Sequence, residues 1–283
     1  MHSTLVSTAE LAAHLSNWTV IDCRFDLRDE AAGRRAYLTS HIAGAAYASL
    51  SEDLSAPLTG TNGRHPLPTV EAMEAVFSRL GIGRQSQVVA YDADSGMYAS
   101  RLWWMLRYLG HDAVAVLDGG WAAWLRESRP VSAGEERHPP QSFTAAVRPQ
   151  MRVDVESLAA LVAAGATRLV DARAPERYEG RTEPIDRVAG HIPGAINHFF
   201  KQNMTPDDTM RPAEELRADL AAVVGNRSPE DVVMYCGSGV TACQNLLALE
   251  HAGIRGVRLY PGSWSEWSAE PGRPVETGPR EPR

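Results

Sequence analysis

The chain contains the same four short blocks twice, in the same order. The second set follows the first at a distance of about 145 residues, far longer than the unit of a solenoid repeat. The paired blocks are Val20-Ile21-Asp22-Cys23-Arg24 with Leu169-Val170-Asp171-Ala172-Arg173, His41-Ile42-Ala43-Gly44-Ala45 with His191-Ile192-Pro193-Gly194-Ala195, Val88-Val89-Ala90-Tyr91-Asp92 with Val232-Val233-Met234-Tyr235-Cys236, and Gly119-Gly120-Trp121 with Gly262-Ser263-Trp264. A length of 283 residues is sufficient for two cores. The sequence therefore predicts a duplicated domain.

Each copy alternates short β-branched runs with Ala- and Leu-rich segments of helical period. This alternation predicts an α/β fold, with a mainly parallel sheet covered by helices on both faces. Ser7, three residues before Glu10, predicts the N-terminal cap of the first helix. Scattered prolines predict an extended linker between the copies. We therefore expect one domain at residues 1–128, a linker at 129–152 and a second domain at 153–283.

Composition excludes several classes of protein. The formal net charge is −7, and no long run of Lys or Arg offsets it, which argues against a general nucleic-acid binder. No apolar run approaches the length of a membrane-spanning helix. The three cysteines, Cys23, Cys236 and Cys243, form neither a Cys-x-x-Cys pair nor a zinc-site spacing. So few cysteines fit a reducing cytoplasm, and we expect a cytoplasmic protein without a metal.

Cys236 ends an apolar run and is followed by a glycine-bearing turn and a segment that favours a helix. Such a turn directs backbone N–H groups inward, and the helix adds the positive end of its dipole. These groups stabilise a thiolate and also an anionic group carried on the sulfur. Cys236 is therefore predicted to be a nucleophile. The residues expected to provide the surrounding backbone groups are Gly237, Gly239, Val240 and Thr241.

The repeated blocks and the loop that begins at Cys236 resemble the tandem-domain rhodaneses, which are sulfurtransferases. The resemblance covers nearly the whole chain and implies two rhodanese-like α/β domains. It implies one active site, in the second copy, because Asp92 stands where the first copy would need its cysteine. It also implies a persulfide on Cys236 and no metal or organic cofactor. The sulfur acceptor would be cyanide in an assay, and a thiol or thioredoxin in the cell.

The two residues after the cysteine distinguish the branches of this family. Thiosulfate sulfurtransferases typically carry two basic residues there, whereas mercaptopyruvate sulfurtransferases carry Gly-Ser or Gly-Thr. Gly237-Ser238 is similar to the 3-mercaptopyruvate branch. The resemblance then implies Arg177 and a second arginine as ligands of the substrate. Ile185 stands where that second arginine is expected, with Arg187 two residues further on.

The resemblance also implies a histidine of the first copy that works with Ser238 and an acid. His41 is the candidate, with Asp29 or Glu30 as its acid. His191 holds the same place in the second copy, and for it we expect a structural hydrogen bond. Arg24 and Arg173 each follow an aspartate by two residues and are predicted to form structural ion pairs with it.

Three alternative functions are distinguishable in the sequence. Thiosulfate as the donor is the nearest alternative to 3-mercaptopyruvate. A phosphatase or arsenate reductase on the same domain would need an arginine at the sixth position after the cysteine, and this chain has Ala242 there. A non-catalytic binding module would need the nucleophile to be lost, and Cys236 is present.

Overall fold

The computed structural model describes residues 1–279 and divides into two compact units. The first unit comprises Met1–Ala56, Pro68–Arg148 and Met204–Met210. The second comprises Pro57–Leu67, Pro149–Asn203 and the chain from Arg211 onward. Pro57–Leu67 lies in the first half of the sequence but belongs to the second unit, and Met204–Met210 lies in the second half but belongs to the first unit. Neither unit is therefore a single continuous stretch of sequence.

The first unit is built on a parallel sheet of five strands, in the order β1-β6-β5-β2-β4, with β3 and β7 as a separate antiparallel pair. The strands are β1 (Leu5–Val6), β2 (Thr19–Asp22), β3 (His41–Ile42), β4 (Ala46–Tyr47), β5 (Val88–Tyr91), β6 (Val114–Leu117) and β7 (Val131–Ser132). The helices are α1 (Thr8–His14), α2 (Glu30–Thr39), α3 (Val70–Arg79), α4 (Ala99–Tyr108) and α5 (Gly120–Arg126). Every residue of β5 and β6 is buried, as expected of parallel strands covered on both faces.

The second unit is built on four parallel strands in the order β11-β10-β8-β9. These strands are β8 (Arg168–Asp171), β9 (Ile196–Asn197), β10 (Val232–Tyr235) and β11 (Arg258–Leu259). The helices are α6 (Val155–Ala163), α7 (Pro175–Tyr178), α8 (Ala213–Val224), α9 (Thr241–His251) and α10 (Ser263–Trp267). Short 3₁₀ turns occur at Pro149–Met151, Phe200–Asn203 and Pro229–Asp231. The predicted α/β class with parallel sheets is confirmed in both units.

Local signals in the sequence specify where several helices begin. Ser7 caps α1, and its hydroxyl accepts from the Glu10 N–H at 3.1 Å, as predicted. Thr69 and Asp154 cap α3 and α6 in the same way. A side chain that satisfies a free N–H of the first turn contributes about 1 kcal/mol to a helix. No helix within residues 1–279 combines the length and the apolar character needed to cross a membrane.

The duplicated aspartate–arginine pairs are ion pairs in both units, as predicted. Arg24 bonds both carboxylate oxygens of Asp22 and donates to the Ser40 carbonyl. Arg173 bonds Asp171 in the same manner, and the Asp171 side chain is fully buried. Each arginine joins the aspartate at the end of a strand to a carbonyl further along the chain, that of Ser40 or Gly190. Removing one partner of such a buried pair would leave an uncompensated charge and would be strongly destabilising.

Candidate active site

Cys236 directly follows β10, an interior strand of the second sheet, and its side chain is 2% exposed. Its backbone N–H donates to the Ser263 hydroxyl at 3.1 Å, and its carbonyl accepts from the Trp264 N–H at 3.0 Å. The next carbonyl, that of Gly237, accepts from the Ser265 N–H at 2.9 Å. The start of α10 therefore holds the cysteine at the carboxyl end of its strand, where parallel sheets bind ligands.

Ser263 adopts a left-handed backbone conformation, with a φ of 56°. This conformation costs a residue with a Cβ about 1–3 kcal/mol. Gly120, its counterpart in the first unit, has a φ of 51° and no hydroxyl to offer. Ser263 adopts the strained conformation, and its hydroxyl makes two hydrogen bonds. It accepts from the N–H of Cys236 and donates to the Tyr260 carbonyl at 3.0 Å. Ser263 is thus a positioning residue that the comparison of the two copies did not reveal.

The glycines of the loop permit two close approaches. Gly239 has a φ of +75°, and a Cβ there would lie 2.1 Å from the Pro261 carbonyl oxygen. A Cβ on Gly237 would lie 2.8 Å from Nη2 of Arg64 and 3.6 Å from both terminal nitrogens of Arg177. A Cβ at position 237 would therefore be too close to the Arg64 guanidinium and in ordinary contact with that of Arg177.

Helix α9 begins at Thr241, and Val240 occupies its N-cap position without providing a side-chain acceptor. Backbone N–H groups at a helix start that lack a capping side chain are suited to bind an anion. The loop and α9 thus provide the elements expected around the sulfur of Cys236, and the participation of Val240 and Thr241 stays a prediction.

The equivalent loop of the first unit already contains an anionic side chain. Asp92 follows β5 as Cys236 follows β10, and it is 1% exposed. Its two oxygens accept from four backbone N–H groups at 2.8 to 3.0 Å, those of Asp94, Gly96, Tyr98 and Ala99. Burial nevertheless raises the pKa of Asp92 to about 6 against the opposing effect of those N–H groups. This loop shows that the fold can surround a buried acidic group with amides.

A histidine contacts the hydroxyl two residues after the cysteine. Nδ1 of His65 lies 2.8 Å from Oγ of Ser238, and both residues are buried. His65 belongs to the segment Pro57–Leu67, which is part of the second unit. An imidazole bonded to a hydroxyl can pass a proton between them, which is the arrangement used in general acid–base catalysis.

The histidine that bonds Ser238 is His65, whereas the sequence offered His41 as the candidate. The ring of His41 is fully buried, and its Nδ1 bonds the Tyr37 carbonyl at 2.8 Å. His191 makes the matching bond to the Tyr178 carbonyl at 2.7 Å, as a structural histidine would. The acids proposed for His41 also lie elsewhere. Asp29 caps α2 and pairs with Arg35, and Glu30 is exposed in the first turn of α2.

Charged side chains beside the loop are paired with one another. Arg177 bonds Glu183 at 2.8 Å and approaches Asp186 at 3.3 Å, while Arg64 pairs with the other oxygen of Asp186. Burial opposes ionisation of Glu183, but the Arg177 guanidinium and backbone N–H groups lower its pKa overall. Arg187 is exposed, and no ion pair to it is found within residues 1–279. The two arginines that flank Gly237 are thus Arg177, which was predicted, and Arg64, which was not.

The other two cysteines have surroundings unlike those of a nucleophile. Burial, together with the charges of Asp22, Asp92 and Asp53, raises the pKa of Cys23, so its thiol stays protonated. Cys243 is fully buried in α9, and its thiol donates to the Gly239 carbonyl at 3.3 Å. Within residues 1–279, no group of three or more His, Cys, Asp or Glu side chains could hold a metal ion.

Fold and site together define a tandem α/β protein with one cysteine-bearing and one aspartate-bearing loop at equivalent strand ends. The model of the family described as "Rhodanese-like domain" matches residues 7–127 and 154–270. The chain belongs to this family, and it is an enzyme of the sulfurtransferase class.

Named relatives and a solved structure agree with this assignment. The chain is 44% identical to the Pseudomonas aeruginosa protein named "Probable 3-mercaptopyruvate sulfurtransferase", over 97% of this chain and 98% of the relative. It is 32% identical to the "Thiosulfate sulfurtransferase" of Bos taurus, over 94% and 92% of the two chains. The structure named "3-mercaptopyruvate sulfurtransferase from Leishmania major" matches with a TM-score of 0.84 and 30% identity, over 94% of this chain and 74% of that one.

The buried carboxyl of Asp92 generates a prediction about stability and pH. Its pKa is about 6 in the folded state against an ordinary 3.8, so the folded state retains a proton that the unfolded chain has released. This contribution to stability is complete below pH 3.8 and is lost as the pH rises through 6. The difference in unfolding free energy between the wild type and Asp92→Asn should therefore shrink by up to about 3 kcal/mol between pH 4 and 7. Urea unfolding at several pH values measures it.

The matched control is Asp207→Asn, which removes an exposed carboxyl of the same unit. A difference that grows with pH would show that the four amides, and not burial, dominate at Asp92.

Proposed function

We propose that this enzyme transfers sulfane sulfur from 3-mercaptopyruvate to a thiol acceptor through a persulfide on Cys236. The observation that carries the proposal is the loop itself. A buried cysteine at a strand end is followed by a neutral Gly-Ser pair, and the hydroxyl of that serine is bonded to His65 at 2.8 Å. The names of the Pseudomonas and Leishmania relatives support the same donor.

The first half-reaction is a displacement at sulfur. The thiolate of Cys236 attacks the thiol sulfur of 3-mercaptopyruvate and forms the S–S bond. The C–S bond of the donor breaks, and its electron pair leaves on the three-carbon fragment as the pyruvate enolate. A proton then converts the enolate to pyruvate. Ser238 and His65, bonded to each other, are placed to supply or accept the proton.

The second half-reaction returns the cysteine to its starting state. An acceptor thiolate attacks the outer sulfur of the persulfide, the S–S bond breaks, and Cys236 leaves as a thiolate. Backbone N–H groups of the loop stabilise the persulfide until then. Cyanide would serve as the acceptor in an assay, and a small thiol or thioredoxin in a cytoplasmic setting.

The balance of charge at the loop favours a donor with a single negative charge. The guanidinium groups of Arg64, Arg173 and Arg177 are matched by three carboxylates, those of Asp171, Glu183 and Asp186. A neutral set of this kind offers little compensation for desolvating the dianion thiosulfate. Mercaptopyruvate carries one carboxylate and a thiol, so its desolvation costs less than that of the thiosulfate dianion.

Replacing the nucleophile tests the chemistry directly. Cys236→Ser should abolish sulfur transfer, because a serine hydroxyl cannot carry sulfane sulfur, whereas Cys23→Ser and Cys243→Ser should retain most of it. Mass spectrometry after treatment with the donor should find about 32 Da, the mass of one sulfur, added to the peptide that contains Cys236. An added sulfur on Cys23 or Cys243 would contradict the assignment.

The donor preference is a second prediction. The kcat/KM for 3-mercaptopyruvate should exceed that for thiosulfate by about tenfold or more, which corresponds to about 1.4 kcal/mol. Asp186→Asn removes one negative charge beside Arg64 and Arg177, so it should move the ratio toward thiosulfate. Glu270→Gln, which removes an exposed carboxylate of the same unit, is the control. An unmodified enzyme that prefers thiosulfate would place the chain in the other branch.

The histidine on Ser238 is a third test. His65→Ala should lower kcat by about 100-fold, the usual contribution of one proton-transfer group. His191→Ala is the control, because it removes a buried imidazole of the same unit whose Nδ1 bonds the Tyr178 carbonyl and whose Nε2 lies 3.7 Å from a Glu276 oxygen. It should lower stability by about 1–3 kcal/mol and leave the kcat of the folded enzyme intact. A loss of kcat in His41→Ala, with none in His65→Ala, would restore the role first expected of His41.

A further inference from the structure

Arg64 brings a guanidinium group to the cysteine loop from a part of the sequence remote from it. Nη2 of Arg64 is the atom nearest to a Cβ built on Gly237, at 2.8 Å. The following residue, His65, bonds Ser238. Arg64 thus lies against Gly237 and His65 against Ser238, so two consecutive residues of Pro57–Leu67 contact the two residues that follow Cys236.

The hydrogen bonds of Arg64 leave one edge of its guanidinium without an acceptor among the described residues. Nη1 donates to Asp186, while Nε is buried and has no hydrogen-bond partner within the described part of the chain. Nε and Nη2 share an edge of the planar group, and a carboxylate binds such an edge through both of its oxygens. A buried donor without a partner is unfavourable, so a ligand that satisfies this edge would be bound with that penalty relieved.

There is space for a small anion beside Arg64. Arg64, Asp186 and Arg187 line a cavity of about 490 Å³ in the second unit, together with Ser265. The N–H of Ser265 bonds the Gly237 carbonyl, and its hydroxyl accepts from the backbone N–H of Arg64 at 3.1 Å. Ser265, which lines the cavity, thus contacts both Arg64 and the loop that carries Cys236.

The position expected to hold a second substrate-binding arginine is occupied by Ile185, which cannot bind a carboxylate. Ile185 is 40% exposed and carries no charge. Arg187 lines the cavity, but it is exposed to solvent, where its charge is screened. Arg64 is less exposed, with a side-chain exposure of 25%, and it lies against Gly237.

We propose that Arg64 is the second cation of the donor site, and that its Nε–Nη2 edge binds the carboxylate of 3-mercaptopyruvate beside Arg177. Asp186 holds both guanidinium groups in place, through Nη1 of Arg64 and Nη2 of Arg177. The carboxylate therefore has no need to displace Asp186. This inference rests on the proposed function and names the residue that recognises the acidic end of its donor.

The test compares two reagents that load sulfur onto Cys236. One is 3-mercaptopyruvate, which carries the carboxylate, and the other is sodium polysulfide, which lacks it. Arg64→Gln should lower kcat/KM for mercaptopyruvate by about ten- to a hundredfold more than it lowers the rate of polysulfide loading, as expected for loss of a hydrogen bond to a charged group. The inhibition constant of pyruvate, the carboxylate-bearing product, should rise in parallel.

Three further variants sharpen the comparison. Arg64→Lys keeps the positive charge but removes the Nε–Nη2 edge. Its loss of kcat/KM for mercaptopyruvate, relative to polysulfide loading, should therefore lie between those of the wild type and Arg64→Gln. Arg187→Gln tests the competing arginine and should show little selective loss. Arg255→Gln is the control for net charge, because Arg255 is exposed before the amino end of β11, whereas Cys236 follows the carboxyl end of the neighbouring strand β10.

The outcomes separate the two proposals. Equal losses on both reagents in Arg64→Gln would mean that Arg64 only supports the loop, and a selective loss in Arg187→Gln alone would make Arg187 the second cation. Either result overturns this inference and leaves the proposed function standing. An unmodified enzyme that accepts polysulfide but not 3-mercaptopyruvate would overturn the proposed donor, and the role of Arg64 with it.

Discussion

Each unit buries an acidic side chain at the carboxyl end of an interior strand, and the rest of each loop is arranged around that constraint. Asp92 and Cys236 are 1% and 2% exposed. An anion removed from water at such a position is costly unless hydrogen bonds replace the water. The first unit offsets part of this cost with four backbone N–H groups on one carboxylate, and burial still raises the pKa of Asp92 to about 6. The second unit places Cys236 at the equivalent strand end, followed by a glycine-bearing loop and the start of α9.

The second unit adds charge to this arrangement without leaving the charge unbalanced. Arg173 and Arg177 both bond Glu183, and Asp186 joins Arg177 to Arg64. Shared carboxylates of this kind hold guanidinium groups in fixed orientations, because moving one arginine would break bonds to the next. The network therefore holds guanidinium groups in place beside Gly237 and balances the three arginines with three carboxylates, those of Asp171, Glu183 and Asp186.

Much of the fold could be predicted from sequence because the duplicated blocks are local signals. The runs that become β2, β5, β8 and β10 are apolar and continuous, and Ser7 marks the start of α1. The position of Cys236 followed from the same reasoning, since it ends one of those runs. The paired Asp22–Arg24 and Asp171–Arg173 could be predicted because both partners lie two residues apart.

His65 and Arg64 escaped prediction because they have no counterparts in the second copy. The contact between His65 and Ser238 joins residues 173 positions apart, and no local pattern encodes it. A signal was nevertheless present. Between β4 and α3 the chain runs from residue 48 to 69 without a helix or strand, and connections of that length are uncommon unless they bind or catalyse. A histidine and an arginine in such a loop are stronger candidates than His41, whose equivalent in the other copy suggested a structural role.

The membership of Pro57–Leu67 also gives a reason why the first copy persists without a nucleophile of its own. The segment is encoded between β4 and α3 of the first unit, yet it belongs to the second, where it supplies His65 to Ser238 and Arg64 to Gly237. Chain connectivity ties its two ends to β4 and α3 of the first unit, which reduces the entropy that a free peptide would lose on ordering in the same place. Asp92 organises the loop of that unit by accepting from four N–H groups, and its contribution to stability is lost as the pH rises through 6.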